Sequence, residues 1–269
     1  MIAVELSKLY RRPRTWAALV LLVALPTVVA ILLATTGVGP RPGQGPAFLS
    51  AVLSDGSLFG VAALAIVLPL FLPISVAVIA GEAVAGEAQA GTLRYLLVRP
   101  VGRTRLLVAK LVAVFAFVAT AVLLVAASGY VVGKALLGDG SVPPATFSGT
   151  SLTPAQIALR SVLAILYVML SMMGIAATAL ALSTFTDSPL SATLGALALL
   201  IGSSLLLTLD AARSLQPYLP TRYWLSFVDL FRDPILWRNV ERGVGLQAVY
   251  VVVLLGVAWA NFQTKDITS

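Results

Sequence analysis

Residues 81–110 read GEAVAGEAQAGTLRYLLVRPVGRTRLLVAK. They hold two acids (Glu82, Glu87), four arginines (Arg94, Arg99, Arg103, Arg105) and Lys110, and they separate two long apolar runs. A charged segment set between uncharged runs of membrane-crossing length is a loop between two spans, and its charge bears on the side where it lies. Within it, Gly91 and Thr92 end one helical stretch and cap the next. Leu93, Leu96 and Leu97 fall at i, i+3 and i+4, an apolar strip on a single short helix that Arg99 and Pro100 end. Such a helix, of about two turns, is apolar on one side and charged on the other, and it fits the membrane surface or a groove in a partner.

The rest of the chain agrees with a membrane setting. Of 269 residues, 59% are hydrophobic and 11% charged, with a mean hydropathy of +0.99. Soluble domains are roughly half apolar and about a quarter charged, and no soluble fold has enough interior to hide the excess. The fold class is therefore an all-α integral membrane protein. There is no Cys and no His. Their absence rules out zinc sites of the Cys/His kind, disulfides, Cys nucleophiles, triads that need His, and a His proton relay, and no metal site is expected. The net charge of +7 is read as cytosolic loops facing anionic lipid, not as a nucleic-acid interface.

Six spans follow, at about 15–36, 58–80, 105–132, 155–183, 190–209 and 244–260. Before the first, MIAVELSKLYRRPR places Ile2, Leu6, Leu9 and Tyr10 on one helical face, with Lys8, Arg11, Arg12 and Arg14 around the other. It reads as an interfacial helix with its basic side on lipid head groups, or else as a disordered basic tail. Trp16 marks the membrane edge. Pro69 and Pro73 make the second span bent or partly unwound, either a packing kink or a hinge. Thr104 caps the third span, and Lys110 in its first turns reaches back to the surface. Between spans five and six, residues 210–243 mix Arg213, Arg222, Arg232, Arg238 and Arg242 with four acids and with Trp224, Phe227, Phe231 and Trp237. They read as short helices at the outer face, whose arginines either pair with nearby acids or gather anionic groups.

Six spans put both termini on one side. The first tail, the second inner loop and the last tail hold ten of the eighteen basic residues (Lys8, Arg11, Arg12, Arg14, Arg94, Arg99, Arg103, Arg105, Lys110, Lys265), which places both termini in the cytosol. Apart from Lys110 and Arg160, both near span ends, the spans carry no ionisable side chain. A proton-coupled carrier needs a mid-membrane acid, so any energy for transport enters from outside the spans. Gly129 to Ala135, GYVVGKA, is not a phosphate loop: it has three residues between its glycines and Ala after its Lys, and it ends a span. The pairs Gly56/Gly60 and Gly129/Gly133 have the small-xxx-small spacing of close helix contacts, including a dimer face. Thr120, Ser128, Ser203, Ser204 and Thr208 either line a substrate path or make ordinary helix–helix hydrogen bonds.

The order of Glu82, Glu87, Gly91, Thr92, Leu93, Leu96, Leu97, Pro100, Val101, Arg103 and Lys110 resembles the signature of the ABC-2 type transporter permeases, membrane subunits of bacterial ABC exporters. Glu5, Lys8, Arg11, Arg12 and Trp16 are similar to that family's N-terminal segment, and Phe262, Lys265, Asp266 and Ile267 to its ending. The resemblance implies a single transmembrane domain over 1–269 in the bacterial cell membrane, paired with a second permease copy of the same or another kind. It also implies a separate ATP-binding subunit carrying ATP and Mg, so that this chain is not itself an enzyme and binds no cofactor. The cytosolic loop after the second span would carry the coupling helix, with Glu82, Glu87, Thr92, Leu93, Arg94, Leu96, Leu97, Arg99, Pro100 and Arg103 as the ATPase-coupling set. Arg94 departs from the acid often found after the GTL triplet. The implied function is export of a lipophilic or amphipathic compound. The alternative is a non-transporting assembly or mechanotransmission factor driven by the same kind of ATPase.

Overall fold

The computed structural model describes residues 1–36, 56–91, 102–138 and 152–264. Every regular element among them is helical. In chain order these are α1 (Ile2–Arg11), α2 (Pro13–Thr36), α3 (Phe59–Val67), α4 (Phe71–Gln89), α5 (Arg103–Leu137), α6 (Pro154–Phe185), α7 (Pro189–Thr208) and α8 (Trp237–Thr264). Six of them, all but α1 and α3, are long and apolar enough to cross a membrane. The chain is a multi-pass, all-helical membrane protein.

Helix ends follow local chemistry. Thr153 caps α6 in a reciprocal box: its hydroxyl accepts from the Gln156 amide at 3.3 Å, while the Gln156 side chain accepts from the Thr153 amide at 2.9 Å. Pro154 stands at the first helical position, where a missing N–H costs nothing. At α7 the cap is one-sided: the Ser188 hydroxyl accepts from the Ser191 amide at 3.3 Å, again with a proline, Pro189, at the first helical position.

The second apolar run is two helices. The chain breaks over Leu68–Leu70, and α4 begins at Phe71. Pro69 cannot continue the ladder of α3, whereas Pro73 falls in the first turn of α4 and needs no donor. α4 then runs past the expected end near Ala80 to Gln89, so Glu82 and Glu87 lie on the helix itself. Gly81 lies within it because the site has no room for a side chain: a Cβ there would lie 2.6 Å from the Thr193 hydroxyl of α7. Ser183 of α6 enters the α4 ladder at this level. Its hydroxyl donates to the Gly81 carbonyl at 2.7 Å and accepts from the amide of Ala85 at 2.8 Å.

α4 and α6 form the centre: 61% of the apolar window of each is buried, against 28% for α2 and α7 and 17% for α8. α6 packs on α4 and α8, α4 on α7, and α5 on α2, α3 and α6. The outer helices turn Val20, Leu21, Leu194, Val252 and Val253 outward. Such apolar sides are stable facing hydrocarbon and costly facing water.

The two glycine pairs meet each other within the chain. A Cβ on Gly60 would lie 2.6 Å from the Ala126 carbonyl, one on Gly129 2.8 Å from the Ala63 Cβ, and one on Gly133 2.2 Å from the Gly56 carbonyl. The spacing does mark a close crossing. Its partner is α3 with the turn before it against α5, so these glycines are not available as a dimer face.

Candidate functional site at the charged end of the bundle

One end of the bundle carries α1, the end of α4, the start of α5 and the end of α8. α1 is held against α5 by buried Leu9 and by the Tyr10 hydroxyl, which meets the Thr120 hydroxyl at 2.5 Å and the Ala116 carbonyl at 3.3 Å. Thr15 of α2 donates to the Leu9 carbonyl at 2.7 Å and Trp16 to the Tyr10 carbonyl at 2.8 Å, closing the corner between the first two helices.

This docking assembles a ring of alternating charge. Lys8 Nζ lies 3.2 Å from Glu5 Oε1 and 2.9 Å from Glu87 Oε1. Lys110 Nζ lies 2.7 Å from Glu87 Oε2 and 3.5 Å from Glu5 Oε2. Beside the ring, Glu82 takes Arg12 at 3.3 Å and also pairs with Arg14. The Lys110 side chain is 2% exposed and that of Glu87 9%, so neither keeps its hydration. Each ion tolerates burial only because opposite charges replace the lost water. Burial pulls the Lys8 ammonium down, but the hydrogen bond and charge of Glu87, with Glu5 beside it, outweigh that and hold Lys8 above the ordinary lysine range. The cavity beside the ring is about 50 Å³ and is lined by Glu5, Lys8, Arg12, Glu82, Glu87 and Lys110. That is room for a few waters and far too little for an organic substrate. The arrangement is a fastening, not a reaction centre.

The structure refines the sequence expectations here. Lys110 does not reach back to the surface; it turns inward to Glu5 and Glu87. Lys8 and Arg12 pair with the acids of α4 while their side chains stay 41% and 42% exposed. Thr104 is not the cap of α5: Gly102 precedes that helix without a side-chain cap. The Thr104 hydroxyl instead accepts from Trp259 Nε1 at 3.0 Å and Gln263 Nε2 at 2.8 Å. Arg103 donates to the carbonyls of Phe262 at 3.2 Å and Gln263 at 2.6 Å, a cation at the negative end of α8. Of the coupling set, Glu82, Glu87 and Arg103 are thus placed at this end. Thr92, Leu93, Arg94, Leu96, Leu97, Arg99 and Pro100 lie outside the described residues.

The hydroxyl residues expected along a substrate path are not brought together. Thr120 meets Tyr10, Ser128 bonds the Val125 carbonyl, Ser203 meets Thr221 at 2.7 Å, Thr208 bonds the Leu205 carbonyl, and Ser204 is exposed. Each of the four bonds is local or ties a helix to its neighbour.

At the opposite end, residues 210–231 form three short 3-10 segments. They are pinned by groups that composition did not single out. The Tyr167 hydroxyl donates to the Tyr223 carbonyl at 2.6 Å and Gln247 to the Pro220 carbonyl at 2.7 Å. Gly243 and Gly174 leave the space for these two side chains. Arg160, 7% exposed, donates to the Arg232 carbonyl at 2.9 Å, and Arg232 pairs with Asp229 at 2.9 Å. GYVVGKA is continuous helix within α5, with no loop to cradle a phosphate.

Residues 27–268 match the family described as Protein of unknown function (DUF2705). No curated protein matches the sequence.

Proposed function

We propose that this chain, which belongs to the family described as Protein of unknown function (DUF2705), is the membrane-spanning permease subunit of an ABC transporter. It exports a lipophilic or amphipathic compound, with energy supplied by a separate ATP-binding subunit that holds ATP and Mg. Both termini and residues 92–101 face the cytosol, α1 lies in that interface, residues 92–101 carry the coupling helix, and a second permease copy completes the assembly.

The observation that carries this reading is how residues 92–101 are attached. The helix before them ends in Glu82 and Glu87, and the helix after them begins with Arg103 and Lys110. All four are fixed, three through the ion-paired cluster and Arg103 through the end of α8. A push delivered to that segment therefore reaches α4, α5, α1 and α8 together. The charges of the described spans sit at helix ends, which leaves no mid-membrane group to take up energy from an ion gradient. The resemblance to ABC-2 permeases supplies the kind of partner.

The test is reconstitution with a candidate ATP-binding subunit, sought first among the products of neighbouring reading frames. Leu96→Asp with Leu97→Asp should abolish co-purification of the ATPase and ATP-driven efflux from proteoliposomes, while the chain still inserts. Efflux unchanged by that double substitution would sink the coupling assignment. ATP turnover that depends on Leu97 but moves no solute would shift the reading to a mechanotransmission factor. Glu87 is unsuitable for this test, because its loss strands Lys110.

A further inference from the structure

A second, larger recess opens at the same end, between the first turn of α1 and the first two turns of α5. Its volume is about 750 Å³, and Ile2, Ala3, Thr104, Arg105, Val108 and Ala109 line it. It differs from the cavity beside the ion ring in size and chemistry: its floor is apolar, and none of its described lining residues is acidic. Arg105 is exposed at its rim. The neighbouring cation, Arg103, is already committed to the carbonyls of Phe262 and Gln263.

The depth of the recess can be read from tryptophans. Trp259 is half exposed on α8, and its ring nitrogen is bonded to Thr104, a lining residue. Trp16 is equally exposed at the same end, bonded to the Tyr10 carbonyl. Exposed tryptophans with one satisfied polar atom collect at the level of lipid head groups. The recess therefore opens where a phosphate and the first carbons of an acyl chain would lie. An apolar floor suits the chain, and an arginine fork suits the phosphate, most of all where the head group has no cation of its own to offset it.

We infer that this recess between α1 and α5 holds one phospholipid with an anionic head group, its phosphate on Arg105 and its acyl chain along Val108 and Ile2. The lipid would lie against the first turn of α1, one turn before Glu5 of the ion ring, so α1 is fastened by protein charge along its middle and by lipid at its start. The inference rests on membrane residence alone, and failure of the ATPase test would leave it standing.

The full chain is placed in nanodiscs of equal phosphatidylglycerol and phosphatidylcholine, and the lipids that survive release are counted by native mass spectrometry. Wild type should retain one phosphatidylglycerol per chain in preference to phosphatidylcholine. Arg105→Gln should lower that occupancy about fivefold, the effect of one cation near an anionic surface, and Arg105→Lys, which keeps the charge but not the fork, should fall between the two. Val108→Trp, which fills the recess from an exposed position, should lower retention of either lipid. Thermal unfolding of each variant checks that the bundle is intact. Equal retention of the two lipids by wild type overturns the inference. So does phosphatidylglycerol occupancy unaffected by both Arg105→Gln and Val108→Trp, and so does a Val108→Trp variant that changes the oligomeric state and leaves the lipid in place.

Discussion

Lys110 sits two turns inside a helix whose following residues are uncharged as far as Lys134, and its ammonium is held by two carboxylates from two other helices. Removing it takes from buried Glu87 its 2.7 Å ion pair and from Glu5 one of two cations. Lys110→Met should therefore destabilise the folded chain by about 3–5 kcal/mol, the range for breaking a buried pair. Adding Glu87→Gln should restore part of that loss, because the stranded charge goes with it. Thermal unfolding of the two single variants and the double variant gives the coupling directly, and strictly additive losses would show that the pair does not act as a unit. Half of this arrangement was legible. Glu82, Glu87 and Lys110 stand out as charges beside apolar runs, but where Lys110 points depends on what docks over it. The available signal was on α1: Glu5, Lys8 and Arg12 fall at i, i+3 and i+7, a mixed-charge stripe, and a stripe containing an acid is poorly suited to anionic head groups. Pairing across 79 positions in sequence, as between Lys8 and Glu87, leaves no local trace.

Among the elements, the crossing of α3 with α5 brings two backbones close together, and it depends on the absence of side chains. At Gly60 a methyl group would press on the Ala126 carbonyl, a backbone atom that moves only if the helices part. Gly60→Ala should cost about 1–3 kcal/mol, the usual range for overpacking. Gly256 on α8 has nothing within 4 Å, and Gly256→Ala should be neutral or stabilising by up to about 1 kcal/mol through helix propensity. The two variants compared by thermal unfolding in detergent should shift in opposite directions or by clearly different amounts. Equal shifts would mean that the crossing is looser than its geometry. The spacing of these glycines announced a close contact without saying with what, since one pattern serves contacts within a chain and between chains. The spans were legible because each is a long uncharged run. Their ends were less so, because α4 and α8 continue as helices beyond the hydrocarbon-length part of their sequence, where hydropathy no longer marks them. The break near Pro69 was readable from proline's missing donor; the continuation through Gly81 and Gly86 depended on neighbours the pattern does not contain.

For the whole molecule, the property most in need of a direct measurement is orientation. The bundle has two unlike ends. One carries α1, the ion ring and the attachment of residues 92–101; the other carries the 3-10 segments of residues 210–231 pinned by Tyr167, Gln247 and Arg160. Ten basic residues belong to the first end and its connections, and the remaining eight of the eighteen to the second. The margin is narrow, and what favours the first end as cytosolic is segment length. Its cations lie in short stretches next to the spans, where positive charge directs insertion, while many at the second end lie in the longer 210–243 segment, which counts for less. The chain has no cysteine, so a single introduced thiol reports alone. Ser7 on α1 and Ser214 among the 3-10 segments are both exposed, at opposite ends. Ser214→Cys should react with a membrane-impermeant maleimide on intact cells, and Ser7→Cys only after the membrane is permeabilised. The reverse pattern would put the ion ring and residues 92–101 outside the cell, beyond the reach of any cytosolic ATPase. The proposed energy source would fall with it, while the lipid site beside Arg105 would simply belong to the other leaflet.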